Sequence, residues 1–245
     1  MAGSVEIRLL HMNTKEITYP MRINKYLAYK NLCTRREADA LITAGKVKIN
    51  GRNAVLGDKV QEKDDVKVLF RTKKYRYFAY NKPRGIITHS PGEGETDIQQ
   101  TTPLVGVFPI GRLDKDSSGL MILTDDGRIT DKLLNPDYDH EKEYVVKTRE
   151  MLPENIKIRL EAGVDIEGYM TKPSVIRVLG SKKFAITLTE GKKHQIRRMC
   201  AAVDLTVDTL ERIRIMNIKV EKLVLGGHRE IKGNELAVFL KSLGF

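Results

Sequence analysis

The chain has 245 residues, long enough for one large domain or two smaller ones, each with a real core. With 41% hydrophobic and 31% charged residues it reads as an ordered globular protein. Its net charge of +11 comes from 43 basic against 32 acidic residues spread through folded sequence, which favours a polyanion such as nucleic acid as partner and excludes a simple basic tail. The two cysteines, Cys33 and Cys200, lie far apart. They offer neither a disulfide framework nor zinc-ligand spacing, and so point to a reducing cytosol. No apolar run approaches membrane-spanning length, and the N-terminus has no signal-peptide pattern.

Residues 1–20 read as an N-terminal extension of weak periodicity, with His11-Met12 as a junction that would make the preceding segment vector-derived. A first piece spans residues 21–70. Ile23, Tyr26, Leu27 and Lys30 have helical spacing. Thr34 to Glu37 is a capping box that opens a second helix with an apolar stripe of Ala38, Leu41 and Ile42, and Gly45 is placed to end it. Lys46 to Ile49 alternates like a strand, Asn50-Gly51 signals a tight turn, and Val66, Val68 and Phe70 alternate again. The expectation is two helices and a small sheet.

Residues 71–76 read as a basic linker, and a larger mixed piece runs over 77–245. Within it Leu120 to Leu123, Glu143 to Lys147, Phe184 to Thr189 and Leu205 to Ile215 read as strands. Ile196, Met199, Cys200 and Val203 set a helix over 193–203, and a terminal helix is expected over Leu236 to Leu243.

Four stretches carry the chemistry. GRLDKDSSGLMILTDDG (111–127) has calcium-loop spacing at Asp114, Asp116, Ser118 and Gly119, with Asp125 at the twelfth place. Pro103, Gly106, Pro109 and Gly111 exclude the entering helix such a loop needs, and the twelfth residue is not the longer Glu. Asp116, Ser117 and Ser118 are instead turn formers, and Thr124 to Gly127 begins another turn. Asp114 differs, because it precedes the turn on an extended segment and can point into a cleft.

GKKHQIRR (191–198) sits at a strand-turn-helix junction, where backbone amides and lysines attract phosphate. A solvated helix end suffices to explain Lys192, Lys193 and Arg198, whereas Arg197, at i+3 from His194, borders the buried stripe and calls for a carboxylate. In HEKEYVV (140–146) Tyr144 and Val146 share a strand face, so Tyr144 either packs in the core or stacks on a base. The first piece carries Lys25, Arg35, Arg36, Lys46, Lys48 and Arg52, a basic set dense enough to suggest RNA phosphates over a solvated face.

Taken together, INKYLAYKNLCTRREADALITAGKVKING (23–51), YNKPRGI (80–86), GRLDKDSSGLMILTDDG, HEKEYVV, EGKKHQIRRMC (190–200), LERIRIMNI (210–218) and LGGHREI (225–231) resemble the RsuA-type family of ribosomal RNA pseudouridine synthases. DHEKEYVV and LERIRIMNI are most similar to the branch acting on large-subunit rRNA. The resemblance implies an α+β fold: a small S4 RNA-binding domain over 21–70, then a catalytic domain over 77–245 with a mixed, largely antiparallel central sheet flanked by helices. It implies isomerisation of uridine to pseudouridine without cofactor or metal.

By motif, it makes Asp114 the catalytic aspartate, Tyr144 the platform under the target uracil, and Arg197 the partner of Asp114. Arg112 would fill the space left by the flipped nucleotide, and Lys192, Lys193 and His194 would meet RNA. The implied partners are ribosomal RNA and an assembling ribosomal subunit, with neither membrane nor small-molecule cofactor, for a monomeric cytoplasmic enzyme. Asp204 departs from the family pattern where a glycine often ends the helix, and Leu205 replaces an aromatic. A non-catalytic S4-type RNA-binding or assembly factor is the rival reading. A glycosidase would want two carboxylates flanking the bond, and Asp116 is accounted for by its turn.

Overall fold

A computed structural model describes residues 18–69 and 73–245. His11-Met12, Phe70 and the first two residues of the basic linker lie outside the described residues. Contacts divide the chain into one unit ending at Tyr75, with Gly244 and Phe245, and a second over Arg76–Leu243.

In the first unit, β1 (Met21–Arg22) leads into α1 (Ile23–Tyr29) and α2 (Arg35–Thr43). The capping box forms as expected: Glu37 N donates to Thr34 Oγ1 at 3.2 Å, and Thr34 N donates to Glu37 Oε2 at 2.8 Å. Gly45 takes φ +67°. The Gly45 and Lys46 amides then reach Ile42 O and Leu41 O, both at 2.9 Å, the paired bonds of a Schellman end. The strands β2 (Val47–Ile49), β3 (Arg52–Asn53), β4 (Lys59–Val60) and β5 (Val66–Val68) follow. β4 pairs with β1, and the order of the other three is β3-β2-β5. Asn50 and Gly51 both have positive φ, which closes the β2–β3 hairpin. Ile23, Leu27, Ala38, Ile42, Val47, Ile49 and Val60 form the core.

The second unit runs through β6 (Tyr77–Lys82), α3 (Ile98–Thr101), β7 (Phe108–Ile110), β8 (Ser118–Thr124), α4 (Ile129–Leu134), β9 (Lys142–Thr148), α5 (Ile156–Glu161), β10 (Val175–Gly180) and β11 (Lys183–Leu188). It continues through α6 (Gln195–Ala201), β12 (Val207–Ile215), β13 (Ile218–Lys219), β14 (His228–Glu230) and α7 (Gly233–Ser242). Nine strands form one sheet along β10-β11-β9-β12-β8-β6-β14, with β13 beside β12 and β7 beside β8. Every pairing is antiparallel except β12–β8. The α+β class and the mixed, largely antiparallel sheet are as expected.

Three differences from the sequence reading have local causes. The helix expected over 193–203 is confined to Gln195–Ala201, because His194 takes φ +53° at its start. Asp204 supplies the left-handed turn itself, at φ +62°, and Leu205 is buried in the core. The terminal helix begins three residues earlier than its apolar pattern, at Gly233.

Two cores cover the sheet. One gathers α5, α6 and strands β9 to β12 around Phe184, Ile186, Met199 and Val203; the other gathers Tyr80, Ile98, Leu113, Met121 and Leu123. Tyr144 packs against both. The join is β12–β8, where only Glu211↔Ser118 and Arg212↔Gly119 pair. Gly119 has φ +111°, and a Cβ there would lie 2.3 Å from Arg212 O and 2.6 Å from Arg212 N.

Gly119→Ala is therefore expected to destabilise the second unit by about 3 kcal/mol or more, since backbone cannot move aside. Gly45→Ala, with nothing within 4 Å of the added carbon, should cost only about 1–2 kcal/mol of backbone strain. Urea unfolding of the two variants checks the contrast. A second expectation concerns pH. Hydrogen bonding from Arg214, more than that from Arg177, holds the Glu143 carboxyl below its ordinary value. Its contribution is complete above the unfolded carboxylate range, near about 4.3, and is lost as pH falls through the lower folded value. The difference in Tm between wild type and Glu143→Gln should shrink on acidification through that window.

Candidate active site

Asp114 lies where backbone is held from several sides. Leu113, just before it, is pinned by Thr88: the Leu113 amide donates to Thr88 Oγ1 at 3.0 Å, and the hydroxyl donates to Leu113 O at 2.8 Å. The turn after it closes through Ser117 N to Asp114 O at 3.0 Å, and Gly85 N holds Lys115 O at 2.8 Å. Lys82, fully buried at the end of β6, donates to Ser117 O at 2.9 Å and to Pro83 O at 3.0 Å. This is the turn that imitates a calcium loop in sequence. Among the described residues no group of three His, Cys, Asp or Glu side chains could hold a metal ion.

Asp114 keeps 39% of its side chain exposed, and the basic side chain within 4 Å of it among the described residues is His194, with Nε2 at 3.7 Å. The expected Arg197–Asp114 pair does not form within 4 Å among the described residues. Arg197 Nη2 instead donates to Asp116 O at 3.1 Å and Ser117 Oγ at 3.4 Å, so it grips the turn behind the carboxylate. The reason is the start of α6: with His194 left-handed, the helix presents the imidazole to the carboxylate and the guanidinium to the turn.

Tyr144 is half-buried on β9, opposite Arg212 on β12. Arg112 is exposed two residues before Asp114, and Lys193 is exposed two residues before α6. Lys192 Nζ lies 4.4 Å over the Tyr169 ring, beside a cavity of about 160 Å³ that Lys172 and Glu190 also line. In the first unit Lys25, Arg35, Arg36, Lys46 and Lys48 are exposed and have no carboxylate within 4 Å among the described residues. Lys48 even lies directly opposite Lys67 across β2–β5, a like-charge pairing that a bound polyanion would relieve. Arg52 is different: it is tied to Asp58 at 2.8 Å and steadies its own turn.

Sequence reasoning missed three cations on this sheet. Lys82 is 0% and Arg212 4% exposed, and Lys142 is half-buried on β9. Burial pushes the Lys82 ammonium down to about 8, against the pull of Asp114. Burial, and then repulsion by Arg212, brings Lys142 to about 8 as well. Lys142 stands two residues from Tyr144, so period-two alternation was the signal that could have found it. The bulge at Ile213 hid Arg212.

Residues 76–202 match the RNA pseudouridylate synthase family, and residues 21–66 match the S4 domain. A dual-specificity RNA pseudouridine synthase, RluF, of Escherichia coli strain K12 is 40% identical over 228 residues, covering 90% of this chain and 79% of the relative. Ribosomal large subunit pseudouridine synthase B of Bacillus subtilis strain 168 is 34% identical, covering 88% and 93%. A crystal structure of a pseudouridylate synthase superposes with a TM-score of 0.66 at 28% identity, covering 91% of this chain and 99% of that one. The chain belongs to the RNA pseudouridine synthase family, as an S4 domain joined to a catalytic domain that isomerises uridine in RNA to pseudouridine.

Lys82→Met should leave the buried Ser117 carbonyl without its donor, at about 1–3 kcal/mol. Urea unfolding reads the loss, and faster amide exchange at Ser117 locates it in the turn.

Proposed function

We propose that this protein converts a uridine of large-subunit ribosomal RNA to pseudouridine, with Asp114 as the catalytic carboxylate. The observation that carries the reading is Asp114 itself, a part-exposed carboxylate on a turn fastened by Lys82, Gly85 and Arg197. The names of the Escherichia coli and Bacillus subtilis relatives support the RNA class.

The target base is first extruded from the folded RNA, and Arg112 occupies the space it leaves. The base stacks on Tyr144. The ionised Asp114 either attacks C1′ or takes the C2′ proton to give a glycal, and on both routes the N1–C1′ bond breaks with its electron pair leaving on uracil. The base turns, C5 joins C1′, and the C5 proton departs, with Tyr144 as candidate base. Arg197 acts as a positioning residue here: it fixes the turn from behind, and the His194 imidazole lies nearest the carboxylate. Lys192 and Lys193 meet the RNA beside the site.

The S4 unit, with Lys25, Arg35, Arg36, Lys46 and Lys48, supplies sequence-independent phosphate contacts. Arg52 contributes less, being held by Asp58. We take the protein to act as a cytoplasmic monomer, on free rRNA or on an assembling subunit. No described helix is long and apolar enough to cross a membrane.

The test uses rRNA carrying tritium at uridine C5. Wild type should release tritium into water, and Asp114→Asn should release none while still binding RNA. An active Asp114→Asn would end the assignment, and a wild type that binds without release would favour a non-catalytic RNA-binding factor. Replacing Lys25, Arg35, Arg36 and Lys48 with Gln should weaken RNA binding and flatten its salt dependence by roughly 0.7–0.9 in log–log slope per lost phosphate contact.

A further inference from the structure

The second unit holds cations with no carboxylate beside them among the described residues. Among the described residues, neither Lys82, Lys142, Arg212 nor Arg197 has an acidic group within 4 Å. Burying charge without a partner is costly, so each position calls for a reason. Three have internal ones. Lys82 donates to two carbonyls, Arg197 to the Asp116–Ser117 turn, and Arg212 to Leu120 O at 2.7 Å and to the Met121 sulfur.

Lys142 has less. Its ammonium carries three donors, and the hydrogen bond it makes among the described residues is to His140 O, at 3.2 Å. Its neighbours across the ladders are Leu188 and Ile215, both apolar and buried. Glu143, the adjacent carboxylate, is turned to the opposite face, where it meets Arg214 at 2.8 Å and Arg177 at 3.2 Å. Alternation puts Lys142 on the face of Tyr144, and register puts Arg212 there too. A half-buried ammonium therefore stands beside the aromatic platform, repelled by Arg212 and with donors to spare.

The chemistry has a matching need. When N1–C1′ breaks, the electron pair passes to the pyrimidine, whose charge spreads over N1, O2, N3 and O4. The pair returns when C5 bonds to C1′, and the C5 proton leaves to a base.

We propose that Lys142 is a further catalytic residue, donating a hydrogen bond to a carbonyl oxygen of the uracil on Tyr144 and stabilising the pyrimidine anion between cleavage and reattachment. Lys142 keeps its proton throughout. Lys82 and Arg212, too buried to touch the base, add a positive field from below. The inference rests on the reading of Tyr144 as the stacking platform.

The experiment compares wild type, Lys142→Met and Lys142→Arg on one RNA carrying uridine or 5-fluorouridine at the target. Conversion is read by nuclease digestion and chromatographic separation of the nucleosides before mass spectrometry, since pseudouridine has the mass of uridine; the fluorinated base has no C5 proton to lose and is followed as its C5-linked product, with fluorine retained. Salt dependence of binding is measured in parallel. Fluorine stabilises the departing anion, so the substrate with the better leaving group should depend less on Lys142. The expected result is a loss in kcat on uridine of about 10²–10³-fold for Lys142→Met. The loss on 5-fluorouridine should be at least tenfold smaller, with KM and salt slope unchanged and partial rescue by Lys142→Arg. Removing the unbalanced charge should leave Tm no lower than wild type.

Equal losses on both substrates, or an undiminished kcat, overturn the inference. So does a raised KM with a salt slope reduced by one contact, which would make Lys142 a phosphate ligand. Should Lys142→Met fail to fold, Lys142→Arg decides alone, and an unchanged uridine to 5-fluorouridine ratio in it counts against the proposal. A wild type that converts neither substrate overturns the isomerase reading and this inference with it. An active wild type with an equally active Lys142→Met overturns only the role of Lys142.

Discussion

The contact of Gly119 with the Arg212 backbone is the constraint on which the catalytic unit depends. β12 and β8 are the one parallel pair in the sheet, joined over two residues, and each belongs to a different half of the structure. With no side chain at 119, the two backbones come within a distance that any Cβ would forbid. The Arg212 guanidinium then reaches Leu120 O across the same seam. The turn bearing Asp114 leads directly into β8, and Tyr144 lies opposite Arg212, so the seam sets both proposed catalytic side chains against one backbone reference.

The proposed catalytic carboxylate sits among basic residues that are occupied with other partners. The cations beside the Asp114 turn are each held elsewhere: Arg197 by the Asp116 and Ser117 oxygens and Lys82 by two carbonyls. The aspartate thus has no arginine or lysine within 4 Å among the described residues, and its one basic contact is the His194 imidazole at 3.7 Å. A direct Arg197 pair would have to be broken for an approaching ribose, whereas a guanidinium engaged behind the turn need not move. The exposed basic residues of the S4 unit work differently. They lie in water, where salt screens them, and the role proposed for them is affinity rather than chemistry.

Much of the fold was legible in the sequence, because local rules and tertiary packing agree there. The Thr34 capping box, the Gly45 helix end and the Asn50-Gly51 hairpin are each determined by a few adjacent residues. Strands β8, β9 and β11 carried enough apolar or β-branched residues to be read directly. The helix at 195–201 came out too long, since apolar periodicity continues through Val203 while the left-handed His194 and Asp204 end it. In the candidate site, Asp114 drew attention by its type and setting, and Tyr144 by the motif it belongs to. The geometry of Arg197 did not, because it depends on a contact across 80 or more residues. Lys82 and Arg212 were illegible for the same reason: a cation in an apolar run looks like a strand end until the carbonyls that hold it are seen.

The fastening of the Asp114 turn also has a consequence for synthesis. Its supports come from Lys82 and Thr88 before it and from Arg197 after it, and the strand that seats β8 follows at 207–215. A chain emerging from the ribosome through β11 has its aspartate but neither the guanidinium nor the parallel partner that set its place. Such sequence-distant contacts form late in folding. The seat of the Asp114 turn is therefore complete only once residues 207–215 have been made, and a chain cut before them would carry a whole S4 unit beside an unseated turn.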